Sequence, residues 1–137
     1  MLNSVLTYIT GLTVTSTPVV AFGDSFVFGT NCFVLTFPNL PANAVFISPL
    51  GGGKPSTVNK SKTPGMQLMV RHINSQDGYS TADAFNTLLH NNPNVINGMC
   101  YADNSIPYSL GIDETGNQLF TVNFRFLEIT TWLFFLF

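Results

Sequence analysis

A chain of 137 residues has room for one domain with a substantial core and not for two ordinary ones. Only 9% of its residues are charged while 45% are hydrophobic, against roughly 25% charged in an average soluble protein, so it is expected to share its surface with partners. A formal net charge of -2 gives no basic footprint for duplex nucleic acid, and the two cysteines, Cys32 and Cys100, are too few for a disulfide framework and read as structural thiols without zinc-ligand spacing.

Leu2, Val5, Leu6 and Ile9 recur at helical spacing and Gly11 follows, which predicts a short amphipathic helix over 2–10. Between Thr13 and Phe37 the chain is rich in Val, Phe and Thr and is interrupted at Pro18, Gly23 and Gly29, the composition of one or two short strands and turns. Pro38 and Pro41 frame a rigid turn into Ala44–Ser48, an apolar run too short for a helix and expected as a buried strand. Residues 49–65 collect Pro49, Gly51, Gly52, Gly53, Pro55, Pro64 and Gly65 among polar side chains and read as a long loop carrying Lys54, Lys60 and Lys62.

Met66–Ile73 resumes as a strand. A helix is expected from Ser80 to His90, with Ser80 as its N-cap, Asp83 near its positive end, and Ala82, Phe85, Leu88 and Leu89 as its buried stripe. Val95–Tyr101 reads as another strand. Ser105–Ile112 then faces Gln118–Leu127 across Asp113-Glu114-Thr115-Gly116, a hairpin turn in which Gly116 supplies positive φ. Alternation of Phe120, Val122, Phe124 and Phe126 with Thr121, Asn123 and Arg125 turns one face of the last strand to the core. The sum predicts a single α+β domain over 1–127, a mostly antiparallel β-sheet flanked by two helices, with an apolar tail over 128–137.

Motifs that hint at chemistry fail on their own residues. Val19–Gly29, VVAFGDSFVFG, resembles the opening block of the GDSL or SGNH hydrolases, with Ser25 in the nucleophile's place. Those enzymes need a histidine in an Asp-x-x-His arrangement, whereas His72 and His90 follow Met69 and Thr87 at that spacing. The blocks that build the oxyanion hole are missing too, so Gly23-Asp24-Ser25 reads better as a turn between two strands. Gly51-Gly52-Gly53-Lys54 has Ser48 where a phosphate loop needs its first glycine and Pro55 where it needs the Ser or Thr that holds magnesium. His72 and His90 lack a spaced Cys, Asp or Glu partner and read as ordinary surface or partly buried histidines, so no metal or cofactor is expected.

Trp132-Leu133-Phe134-Phe135-Leu136-Phe137 is the most apolar stretch. It is far shorter than the ~20 residues of a membrane span, and in water it is an aggregation hazard. It is therefore expected against its own core, a sister subunit or another protein. Met1–Ile9 lacks the basic start and sustained apolar run of a signal peptide, so neither export nor a membrane anchor is expected.

Taken in order, several stretches resemble the tail terminator, or minor capsid, proteins of long-tailed bacteriophages. The matching pieces are Gly29-Thr30-Asn31-Cys32-Phe33, Phe37-Pro38-Asn39-Leu40-Pro41-Ala42-Asn43-Ala44-Val45, Gly51-Gly52, and Gln67-Leu68-Met69-Val70-Arg71. They continue through the helix Ser80–His90, Ile96-Asn97-Gly98, and Ile106–Asn117 followed by Val122-Asn123-Phe124-Arg125. Relatives often place Arg on both sides of the hairpin turn, where this chain has Ile112 and Asn117, and the tail after Glu128 lies outside the pattern.

The resemblance implies a structural virion protein rather than an enzyme. It implies a ring, typically hexameric, on the head-proximal end of the tail tube, which stops tube polymerisation and provides the head-tail joining surface in the neck. Its partners would be copies of itself, the tail tube protein, and a head-completion, stopper or connector protein. Assembly would take place in the host cytoplasm, with DNA free to pass through the ring and neither sequence-specific nucleic acid binding nor membrane contact. Another neck component is the nearest alternative, and a hydrolase acting through Ser25 the remote one. Candidate contact residues are Lys54, Lys60 and Lys62, the hairpin-tip acids Asp113 and Glu114, and Trp132, Phe134, Phe135 and Phe137 of the tail.

Overall fold

In a computed structural model, which describes residues 2–50, 65–96 and 98–128, the apolar stripe of the first segment forms helix α1, Leu2–Thr10, and buries Val5 and Ile9. The next segment departs from the expected strands. It opens with a second helix, α2, Thr17–Phe22, which buries Pro18, Val19 and Phe22. Pro18 sits in the first turn, where its missing N–H is harmless and its fixed φ suits a helix, and Gly23 closes the helix at φ 88 with its N–H on Val19 O at 2.9 Å. Gly23-Asp24-Ser25 is thus a helix exit and not a turn between strands. The β-branched residues that favoured a strand lose to burial of one helical face.

Six strands follow: β1 Cys32–Val34, β2 Ala44–Leu50, β3 Gly65–His72, β4 Gly98–Ala102, β5 Tyr108–Ile112 and β6 Gln118–Glu128. They build one sheet in the order β1-β2-β3-β6, with β4 and β5 sharing the far edge of β6. β4 pairs with residues 124–128 and β5 with residues 118–121 of that strand. Every pairing is antiparallel except β1 on β2. Pro49 and Leu50 extend β2 and Gly65 opens β3, so the expected loop is shorter at both ends. Lys54, Lys60 and Lys62, and the tail residues Trp132, Phe134, Phe135 and Phe137, lie outside the described residues. β4 starts at Gly98 and β5 at Tyr108, a few residues later than the pattern predicts, while Val95 and Ile96 are buried in the turn ahead of β4.

Helix α3, Ser75–Leu89, begins five residues before the expected Ser80. Its N-cap is Asn74, whose side-chain oxygen accepts from the N–H groups of Gln76 at 3.0 Å and Asp77 at 3.3 Å. Ser80 is an exposed interior position, and Asp77, not Asp83, occupies the first turn beside the positive helix end. With α2 the helices among the described residues number three, all contributing to the one core.

One sheet face meets these helices. Val45, Ile47, Met66, Leu68, Val70, Phe120, Val122, Phe124 and Phe126 pack with Val5, Ile9, Phe22, Phe85 and Leu89 in a continuous apolar cluster. Cys32 and Cys100 are free and lie in that cluster, and burial pushes both thiols up to about 12. Gly78 lets α3 lie close on the sheet: a Cβ there would stand 3.1 Å from His72 Cβ and 3.2 Å from the Phe120 ring. Helix propensity alone gives Gly→Ala a gain of about 1 kcal/mol. The contact reverses that sign, and Gly78→Ala is expected to lower the unfolding midpoint in urea.

Candidate assembly interface

Three stretches distant in sequence converge on Arg71. From β3 its Nε donates to Ala42 O at 3.0 Å, and its Nη2 donates to Pro38 O at 2.9 Å and Pro41 O at 2.6 Å. The guanidinium lies 4.9 Å from the Phe46 ring centroid, and Nη1 stands 3.7 Å from Asp113 Oδ2. A turn built on two prolines cannot satisfy its own carbonyls with its own amides, and the rigid fork of arginine supplies the missing donors. Burial draws the Arg71 guanidinium below its ordinary value, and Asp113 opposes that shift.

Asp113 also builds the hairpin turn between β5 and β6. Its Oδ1 accepts from the Thr115 hydroxyl at 2.7 Å, the Asn117 N–H at 2.9 Å and the Thr115 N–H at 3.0 Å. Gly116 takes φ 87, and the Asp113 N–H donates to Asn117 O at 2.9 Å. The carboxyl is held below the usual range, first by the Thr115 hydroxyl. Desolvation opposes the shift, while the two N–H groups and Arg71 add to it. Glu114 stands exposed at the tip. Aspartate at the start of this turn therefore ties the tip to the proline turn through one cation.

The sheet face away from the helices is graded along the strands. At the Arg71 end, Phe46 pairs with Met69 and Met69 with Thr121, and Arg71 pairs with Leu119. The Phe33 ring stacks on Phe46 at 5.9 Å, and Phe37 tilts against it at 5.4 Å. Phe37, Phe46, Met69 and Leu119, rimmed by Arg71, Asp113 and Glu114, line a groove of about 340 Å³. Toward the other end the same face carries Ser48, Gln67 and Asn123, then Arg125, which pairs with Asp103 at 3.1 Å.

Apolar side chains stand exposed on the segments that border the groove and at the exit from β1. Leu40 is 79% exposed, Ile112 72% and Leu35 61%. Leu35 holds φ 65, a left-handed conformation that costs a leucine roughly 1–2 kcal/mol. Its N–H is tied to Ile47 O at 2.9 Å. Every residue of β5 is exposed, and among the described residues that strand pairs with β6 alone, leaving its other edge open.

Residues singled out for chemistry are occupied with structure. His72, expected at or near the surface, is buried: its Nδ1 accepts from the Asn74 N–H at 3.0 Å and its Nε2 bonds Phe22 O at 3.1 Å. His90 Nδ1 accepts from the Ala102 N–H at 2.9 Å. Ser25 follows a helix rather than a strand, and its carbonyl accepts from the buried Asn31 side chain at 2.8 Å. Among the described residues no three His, Cys, Asp or Glu side chains gather to hold a metal, and no helix is long and apolar enough to cross a membrane. Of the expected contact residues, Asp113 and Glu114 stand together at the groove. Arg71, Phe37, Phe46, Met69 and Leu119 complete it without having been singled out. The signal for Arg71 was present as the one cation inside the apolar run Met66–Ile73.

Two outcomes follow from the clamp. Arg71→Lys keeps the charge but cannot span three carbonyls, and it is expected to cost about 2 kcal/mol in urea unfolding. Because the Asp113 carboxyl is lowered in the folded state, its stabilisation is complete above the unfolded value near ~4 and drains away as pH falls through the folded value. Asp113→Asn should therefore melt below the parent at pH 7, and the gap should narrow as pH falls below ~4 toward the folded value.

The converging stretches are the Pro-x-x-Pro turn, the central strand and the hairpin, three of the pieces in which the sequence resembles tail terminators. Comparison with curated proteins returns no match. The family model for bacteriophage tail terminator proteins matches residues 8–127, which takes in α2, α3, the groove and all but the last residue of the sheet. The chain therefore belongs to the bacteriophage tail terminator family, and its role is a structural one in the phage tail.

Proposed function

We propose that the protein assembles as a ring on the head-proximal end of the finished tail tube, stops tube polymerisation there, and presents the surface that receives the head. The observation that carries this reading is a pair of unlike open surfaces on one sheet, the aromatic groove and the free edge of β5. A patch that does not pair with its own counterpart makes a heterologous contact, and repetition of such a contact about an axis closes a ring. An apolar, charge-poor surface suits a permanent interface.

Termination then follows from geometry. One face of the ring complements the last tube ring and the other does not complement a further tube subunit, so growth stops for want of an interface. The hairpin acids Asp113 and Glu114, Lys54, Lys60 and Lys62, and the tail aromatics are the proposed contacts to copies, to the tube protein and to the head-completion or connector protein. The neck of the virion is the proposed location.

Disrupting this reading frame in its phage genome and scoring particles by negative-stain electron microscopy tests the proposal. Overlong tails without heads are expected. Tails of normal length would reject termination as the role.

A further inference from the structure

Among the described residues nothing fills the groove on the outer sheet face. Phe37, Phe46, Met69 and Leu119 line it, no described helix covers this face, and Leu40 and Ile112 stand exposed beside it. Arg71 fixes its floor and wall through three carbonyls and the Phe46 ring, so little ordering is required of the receptor when a ligand enters. Two of the three charges at its rim are committed: Arg71 faces Asp113, and Asp113 holds its own turn, while Glu114 stands exposed at the tip. The floor of Phe37, Phe46, Met69 and Leu119 suits an apolar occupant.

The same chain contains such a segment. Residues 129–137, ITTWLFFLF, hold no charged side chain and six large apolar ones from Trp132 onward, after Ile129-Thr130-Thr131. They leave the sheet from Glu128, at the end of β6 remote from the groove. Leu119 lies nine residues back along that strand, about 30 Å at ~3.3 Å per residue. Fully extended, Trp132 reaches at most ~14 Å from Glu128 and Phe134 ~21 Å. Only Phe135 to Phe137, at ~25 to ~32 Å, could touch the groove of their own copy, whose near end at Met69 lies opposite Thr121, so the segment 132–137 as a whole cannot lie in it. The outer face they would cross first is polar, with Arg125, Asn123, Gln67 and Ser48 on it.

We propose that the apolar segment 132–137 of one copy seats in the Phe37–Phe46–Met69–Leu119 groove of a neighbouring copy. This rests on the ring reading and names its contact. Donor and receptor lie at opposite ends of the sheet, so each copy gives its segment to one neighbour and receives another's. That is a head-to-tail contact, the kind from which closed rings are made. Apolar area and a preformed receptor supply the affinity.

Cross-linking of the full chain tests it. Copies carrying Leu119→Cys are mixed with copies carrying Phe134→Cys and oxidised at neutral pH. Native Cys32 and Cys100 are buried with thiols raised to about 12, so they do not compete. Disulfide-linked dimers are expected, at least tenfold above a control in which the exposed Thr7→Cys on α1 replaces the receptor variant. A chain carrying both substitutions should form ladders of linked copies. Phe37→Cys provides a second receptor position, since that side chain is exposed and tolerates exchange.

A doubly substituted chain that closes on itself as a linked monomer overturns the exchange, as does absence of any linkage at both receptor positions. Light scattering on the unoxidised parent separates the two readings. Rings without the cross-link would overturn the seated segment and leave ring formation standing, as when the groove receives the tube protein instead. A monomer at every concentration, with no cross-link, would overturn both.

Discussion

The guanidinium of Arg71 organises the end of the molecule on which the groove and the hairpin depend. Three carbonyls, one carboxylate and one aromatic face converge on it. A buried arginine is costly unless its donors are satisfied, and here the partners come from the proline turn, from β2 and from the hairpin. The cation thereby converts a loop and a hairpin tip, each mobile by default, into the rigid border of an apolar groove. Replacement by an apolar residue would remove the cost of burying a charge and would also leave Pro38, Pro41 and Ala42 with unpaired carbonyls.

Sparse charge and abundant phenylalanine take on distinct meanings on the two sheet faces. Toward the helices, Phe120, Phe124 and Phe126 close an ordinary core. On the outer face Phe46 is buried beneath Phe33, Phe37 and Arg71, and Phe37 is left half exposed with no described helix over it. Apolar side chains left open in this way are characteristic of proteins whose native state is an assembly. The strained Leu35, held at φ 65 beside this stack, fits the tendency of backbone strain to collect where a surface must be presented in one shape.

Much of this was legible in the residues. Alternation in Gln118–Leu127 gave the last strand and its buried face, and Asp113-Glu114-Thr115-Gly116 gave the hairpin, because turn chemistry and period-two patterning are local. Helix α2 was not legible: Val19, Val20 and Phe22 carry strand propensity, and Pro18 reads as an interruption when it is a helix start. The start of α3 was hidden by Gly78, a poor helix residue that sits where a Cβ would press on His72 and Phe120 at 3.1–3.2 Å. The groove stayed hidden for another reason. Phe46 and Met69 carry the same apolar signal whether they face a core or an open surface, and only the sheet decides which. Ala44–Ile47 runs apolar without alternation because β2 is covered by helices on one side and by stacked rings and Arg71 on the other.

The position of β6 governs the order in which the chain can become ordered during synthesis. This strand lies between β3 on one side and both β4 and β5 on the other, yet it is made after all of them. Until it emerges, the β1-β2-β3 unit has one bare antiparallel edge, and β4 and β5 lack their partner strand among the described residues. Contacts of such long sequence separation form late and slowly. The nascent chain therefore carries unpaired edges and uncovered phenylalanines until nearly its full length is available, and chaperone dependence would be greatest just before residues 118–128 clear the ribosome.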